Sequence, residues 1–255
     1  MPRDSIAAAL REVARSVGAS PTLIPFFDEL FAPLSALGSS PRRIASLLAL
    51  STKSRVLDLA CGKGAVAVEV ARRHGCHVTG VDACPAFIES ARALAAHHNV
   101  AHLCTWHLAN IRRWAPRPLP RFDVAMMIGL DSVAEAAPRL RRFVNPRGLY
   151  IIDDAVRDSR HSLSTRLKDV PGAAECQAAI EALGDLVLRR IMLPRAAVQG
   201  QHRSISAALT ATTRRLSKQH RKLRRPLAEF LARHHAALAV LLGPLRPTIW
   251  VIRRR

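Results

Sequence analysis

The sequence predicts an α/β fold, a doubly wound and mostly parallel sheet of seven strands with helices ahead of it and a helical insertion before its last strand. Three observations predict it. Between Arg55 and Asp154, short apolar runs of strand character alternate with runs of helical period. The first of these strands, RVLDLA, ends in a glycine pair, CGKG, and the second, HVTGVD, ends in an aspartate. After Asp154 the alternation stops, and a long helical stretch separates two further strand-like runs, DLVLRRIMLP and TIWVIRR.

Before the alternation begins, the chain reads as helices. SIAAALREVARSVG is one, PTLIPFFDELFAPLSALG is apolar and interrupted by Pro25 and Pro33, and SSPRRIASLLAL has a serine cap with Pro41 at the first helical position. AVAVEVARRHG is a helix closed by Gly75, and PAFIESARALAAHHN is a helix opened by Pro85 and ended near Asn99. AHLCTWH is the third strand, FDVAMMIGL the fourth, SVAEAAPRLRRFV a helix holding a proline, and GLYIID the fifth strand, ending at Asp153. A loop and the helix GAAECQAAIEALG precede the sixth strand, and the helical stretch from about Arg195 to Leu242 is split at Pro226. The implied organisation is a helical cap over 1–50, a core over 51–193, a helical insertion or lid over 194–246 and a closing strand over 247–255, in one compact domain overall.

A chain of 255 residues with 49% hydrophobic content can fill a sizeable core. None of its apolar runs approaches the roughly 20 residues a membrane span needs. The best candidate, AALAVLLGPL, is broken by Gly243 and Pro244. Asp4 and Glu12 lie within an amphipathic N-terminal pattern, so that segment reads as part of the fold rather than a secretory leader. Cys61, Cys76, Cys84, Cys104 and Cys176 show no C-x-x-C spacing, so neither a disulfide framework nor a zinc site is expected, and the expected compartment is the cytoplasm. The formal charge of +20 favours an anionic partner, RNA or an acidic surface, with its densest run over 213–225, TRRLSKQHRKLRR. The same run also reads as the solvated face of a helix, and it contains no aromatic residue to stack a base.

In a doubly wound sheet, ligands bind outside the carboxyl ends of the strands where the strand order reverses. Gly62 and Gly64 let the backbone approach such a ligand, and Asp82 at the end of the second strand can accept hydrogen bonds from both hydroxyls of a ribose. Together they read as an adenosine-cofactor site. GKGAVA formally fits the dinucleotide fingerprint G-x-G-x-x-A, a weak match. Asp58, an acid inside the first strand where dehydrogenases carry an apolar residue, fits a cationic cofactor instead.

VLDLACGKG followed by VTGVDACPAFIESAR resembles the class I S-adenosylmethionine-dependent methyltransferases. Their first motif is an acid, two or three residues and G-x-G, and their second is the ribose acid. Here Ala60 replaces the first glycine of the commonest version, and Asn110 in LANIRRW stands where the family usually has an aspartate that binds the adenine amino group. FDVAMMIGL and LRRFVNPRGLYIID resemble the family's fourth-strand motif and its turn into the fifth strand, and the family's reversed last strand accounts for TIWVIRR.

The resemblance implies S-adenosylmethionine as cofactor, no metal, and the Rossmann-like methyltransferase fold. It places Asp58 near the cofactor's amino acid moiety, the Ala60, Cys61, Gly62 and Gly64 backbone along its ribose and methionine end, and Asp82 on the ribose. Ala83, Asn110 and Ile111 would flank the adenine, and Ile128 and Gly129 would pass near the sulfonium. Methyl transfer rests on positioning, and a base matters only when the acceptor carries a high-pKa proton. Asp131, Asp153 and Asp154, read at the carboxyl ends of the fourth and fifth strands, are the candidate bases, with capping acids as the alternative reading. Three such acids could also hold a divalent cation, as in the catechol-type O-methyltransferases, although Asp131 lies late for that pattern. His161 is a further candidate base.

IGLDS stands where amino-group methylases of nucleic acid carry N-P-P-[YF], so a small-molecule acceptor is the favoured expectation. The N-terminal and late helices would then wall its pocket, and Phe26, Phe27 and Phe31 read as pocket lining or core. An RNA methyltransferase using the basic run, and a cofactor-binding scaffold without turnover, are the competing readings.

Overall fold

The structure is a computed structural model and describes residues 10–11, 14–15, 18–31, 39–158 and 170–255. It divides into two compact units, Met1–Ser35 with Leu193–Arg246, and Ala36–Met192 with Pro247–Arg255.

The second unit holds a seven-stranded mixed sheet in the order β3-β2-β1-β4-β5-β7-β6. The strands are β1 (Arg55–Leu59), β2 (His77–Asp82), β3 (Cys104–Leu108), β4 (Phe122–Ile128), β5 (Val144–Arg157), β6 (Leu186–Met192) and β7 (Leu245–Arg253). β1 to β5 pair in parallel, and β7 runs antiparallel to β6. Strand order reverses between β1 and β4, which places a crevice at their carboxyl ends. In chain order the first three helices of this unit are α2 (Pro41–Ser46), α3 (Ala65–His74) and α4 (Pro85–His97), and the next two are α5 (Val133–Arg141) and α6 (Ala173–Ala182).

One face of the sheet buries Leu57, Leu59, Ala125, Met127, Tyr150, Ile152, Trp250 and Ile252 against Val133, Ala136, Ala137 and Leu140 of α5 and Cys176 and Ile180 of α6. Alternation along each strand turns Val56, Val78, Val124, Met126 and Ile151 to the other face, and these too are buried. A sheet covered on both faces leaves only strand ends and loops for function.

The predicted strands and their order of appearance are present, with local corrections. The residues Ala101–Leu103, read as the start of the third strand, form a single 3₁₀ turn. The fifth strand, read as ending at Asp153, runs on to Arg157, whose N–H bonds the Pro171 carbonyl. Pro41 opens α2 as expected, but Ser40 at the N-cap makes no side-chain capping bond.

The first unit contains α1 (Phe27–Phe31), preceded by a 3₁₀ turn over Pro21–Phe26, and the long helices α7 (Arg195–Gln219) and α8 (Arg224–Leu242). The split expected at Pro226 falls earlier, at His220 to Leu223. Pro226 lies in the first turn of α8, where its missing N–H has no intrahelical partner to lose. Phe27 and Phe31 are core, 5.3 Å apart edge to face, and Phe31 meets Phe230 at 5.9 Å. Most of the helix expected over SIAAALREVARSVG, and the stretch 32–38, lie outside the described residues. Among the described residues no helix is long and apolar enough to cross a membrane.

Candidate functional site

The turn after β1 has left-handed residues at three alternate positions, Ala60 (φ 61°), Gly62 (φ 54°) and Gly64 (φ 76°). They reverse the chain so that Gly64 caps α3, with Val68 N–H bonding its carbonyl at 2.8 Å. The two glycines serve different ends. A Cβ at Gly62 would meet nothing within 4 Å, so the space beside that backbone is open to a ligand. A Cβ at Gly64 would lie 2.7 Å from Trp106 Cη2 and 2.8 Å from Ala91 Cβ. Gly80, inside β2, is tighter still, 2.4 Å from Trp106 Cζ3. The Trp106 indole therefore lies across both glycine positions and supports the turn from below. Sequence reasoning missed Trp106; a glycine inside a strand, as in HVTGVD, is the signal of such a close approach.

Asp82 ties the turn to β2. Its Oδ2 accepts Gly62 N–H at 2.9 Å and its Oδ1 accepts Cys84 N–H at 2.9 Å. A carboxylate has about four lone-pair sites, so these two bonds leave it capacity for a ligand hydroxyl. Burial raises the Asp82 carboxyl, and the N–H groups of Cys84, Gly62 and Ala83 oppose the rise. Asp58 is buried in β1 on the same face, and its carboxyl is pushed up to about 8 by burial first and by the Asp82 charge second, against an N–H from Ala67. Two buried carboxyls beside one turn disfavour a second negative charge, and a cation placed there would lower both. The Cys61 thiol is pushed well up by burial and by the same two acids, which makes it an inert wall rather than a nucleophile.

Beyond β3, Ala109 N–H bonds the Asp82 carbonyl at 2.8 Å, and Asn110 is buried with its Oδ1 accepting Arg112 N–H at 2.9 Å. Ala83 is buried beside Asp82, and Ile111 packs on the core. At the end of β4, Ile128 stands level with Asp153, whose carbonyl accepts the N–H of Gly129 (φ 74°) at 3.0 Å. The cofactor candidates thus gather along the carboxyl ends of β2, β1 and β4.

The three acids do not converge. Strand alternation puts Asp153 on the Asp58 face and Asp154 on the α5 face. Asp154 accepts Val133 N–H at 3.0 Å and Ala155 N–H at 2.6 Å, which satisfies the first turn of α5. Asp131 is ion-paired with Arg139 and, at 3.4 Å, with Arg112. Asp153 accepts Ser39 N–H at 2.5 Å, and burial pushes its carboxyl up to about 6. His161 lies outside the described residues. Among the described residues no three His, Cys, Asp or Glu side chains are grouped as a metal would require.

Residues 56–148 match the family described as Methyltransferase domain. A curated relative from Aspergillus sclerotiorum, the O-methyltransferase resE, is 27% identical over 122 residues, and the match covers 46% of this chain and 46% of that protein. The aligned region therefore spans about half the length of that relative. Among solved structures, a SAM-dependent methyltransferase from Thiobacillus denitrificans in complex with S-adenosyl-L-homocysteine superposes with a TM-score of 0.74 at 20% identity, over 90% of this chain and 98% of that one. Its counterpart from Geobacter sulfurreducens, in the same kind of complex, gives a TM-score of 0.71 at 20% identity over 100% and 99%. At these identities the likeness is one of fold.

Proposed function

We propose that this chain, whose residues 56–148 form a methyltransferase domain on the class I Rossmann-like fold, is an S-adenosylmethionine-dependent methyltransferase acting on a small-molecule acceptor. The observation that carries the reading is the pair of buried carboxyls, Asp58 and Asp82, bracketing a glycine turn that is open beside Gly62. When bound, S-adenosylmethionine supplies a methyl group already activated on a sulfonium. The protein's task is then to hold and orient. Asp82 takes the ribose through the acceptor capacity its backbone bonds leave, and the Gly62 backbone admits the ligand without a side chain in the way. Asp58 complements the positive amino acid end, a preference that a dinucleotide's pyrophosphate would reverse. Ala83, Asn110 and Ile111 line the adenine side, and Ile128 and Gly129 the methyl-donating side.

Of the three candidate bases, Asp153 suits the role best, because its carboxyl changes protonation near neutrality and it shares the Asp58 face. Asp131 and Asp154 are occupied by arginines and by the α5 N-terminus. The fungal relative's name makes hydroxyl acceptors the first to screen. Five free cysteines support a reducing, cytoplasmic setting. The exposed basic side chains of Arg214, Lys218, Arg221, Lys222 and Arg224 offer an acidic surface a place to dock, which salt-dependent binding to anionic vesicles would test.

The test is calorimetric titration of nucleic-acid-free protein with S-adenosylmethionine, S-adenosylhomocysteine and NAD, beside Asp82→Ala. Binding of the first two, weakened at least tenfold by the substitution, is expected. Binding of NAD alone, or of none, would overturn the reading.

A further inference from the structure

The amino-terminal edge of the same sheet, opposite the glycine turn, gathers arginines that the cofactor site does not use. Arg121 precedes β4, Arg141 and Arg142 end α5, and Arg147 occupies the irregular start of β5. Arg254 and Arg255 join them, because Arg147 N–H bonds the Arg254 carbonyl and Arg254 N–H bonds the Gly148 carbonyl, each at 2.9 Å, whereas alternation turns Arg253 to the Val251 face.

Two of the guanidiniums share one acceptor. Arg121 Nη1 donates to the Arg142 carbonyl at 2.7 Å and the Val144 carbonyl at 3.5 Å. Arg254 Nη1 donates to the same Val144 carbonyl at 2.5 Å and to the Arg141 carbonyl at 3.2 Å. The carboxylates close by are already engaged. Asp185 accepts from Arg141 Nε, the Tyr150 hydroxyl and Arg255 N–H, and Asp123 accepts from Arg55 N–H and Asn145 Nδ2. Among the described residues, Arg121, Arg142, Arg147 and Arg254 have no carboxylate at ion-pair distance; Arg141 alone of the cluster reaches one through its side chain. Arg254 Nε is buried and has no hydrogen-bond partner among them.

We propose that this arginine cluster is a binding site for a small anion carrying two or more phosphate groups, distinct from the cofactor crevice. Phosphate oxygens only accept and guanidiniums only donate, each with five N–H groups in a planar fork that fits phosphate bidentately. Among the described residues, the Arg121 and Arg254 guanidiniums bond protein through Nη1 alone, and Arg121, Arg142 and Arg147 are exposed. Their charge exceeds what one phosphate neutralises, which favours an oligophosphate. The aromatic rings near the cluster, Phe122 and Phe143, are buried, so no face is offered to a nucleic-acid base.

The test is calorimetric titration of the whole chain with inorganic tripolyphosphate, pyrophosphate and monophosphate at constant ionic strength. Expected is saturable one-site binding that weakens in that order, survives saturation with S-adenosylhomocysteine, and falls at least tenfold in Arg142→Gln/Arg147→Gln. Among the described residues neither of those side chains makes a hydrogen bond or an ion pair, and an unchanged melting temperature confirms that the variant folds. Arg221→Gln/Lys222→Gln, in the other unit, removes the same charge and should leave the affinity within twofold. Absence of saturable binding, equal losses in the two double variants, competition with S-adenosylhomocysteine, or binding of an RNA oligonucleotide without binding of tripolyphosphate would each overturn the proposal.

Discussion

Substituting Gly64 by alanine tests whether Trp106 fixes the cofactor turn. At φ 76° a Cβ carries the left-handed penalty of about 1–2 kcal/mol. The same Cβ would sit 2.7 Å from Trp106 Cη2 and 2.8 Å from Ala91 Cβ, well inside contact distance. Overpacking of this kind costs about 1–3 kcal/mol. Gly64→Ala should therefore destabilise the chain by roughly 2–5 kcal/mol, read from urea unfolding followed by circular dichroism. Part of that cost belongs to the indole. In the double variant Gly64→Ala/Trp106→Leu the collision with the ring is gone, so the two substitutions should couple favourably by about 1 kcal/mol or more. A loss below about 0.5 kcal/mol in the single variant, or additive losses in the double one, would refute the argument.

Further outcomes are expected at three positions. Asp58 holds its proton in the folded chain up to about pH 8, whereas an unfolded aspartate releases it near 4. Its contribution to stability is complete at acid pH and falls as pH rises through that window, by at most about 1.4 kcal/mol per unit, and Asp58→Asn should flatten the slope in denaturation midpoints. A cationic ligand selects the ionised form, so S-adenosylmethionine should bind up to about tenfold more tightly per unit between pH 6 and 8 in calorimetry, and less steeply in the same variant. At Ala60 (φ 61°), glycine relieves strain but loosens the unfolded chain, so Ala60→Gly should shift stability by less than about 1 kcal/mol, while Ala60→Val, β-branched at positive φ, should lose more than that on thermal melting. Asp185→Ala strands the Arg141 guanidinium, the Tyr150 hydroxyl and the Arg255 N–H, and should cost about 3–5 kcal/mol by urea unfolding.

The residues Arg55 to Asp154 were the legible part of this chain. Their strands and helices follow from local period, and their boundaries from glycine and proline: Gly75 ends α3 in a left-handed cap and Pro85 opens α4. Asp58 and Asp82 were legible for the same reason, since a charged residue in an apolar strand or at its end is a local anomaly. The run of β5 to Arg157 was less legible, because it is set by a bond to Pro171 across a stretch with no pattern of its own. So was the break between α7 and α8, where Pro226 drew attention away from His220.

By itself the sequence determined the strand-helix alternation, the glycine turn with its two acids, and the basic charge, because periodicity and dihedral preference are properties of neighbours in the chain. Only the tertiary structure decided what each charged group faces. Asp153 meets Ser39, 114 residues away, Asp131 is claimed by Arg112 and Arg139, and Arg121 and Arg254 come to share the Val144 carbonyl. Hydrogen bonds and ion pairs act over a few ångströms, and which residues lie within that reach is set by the folding of the whole chain and not by their order along it.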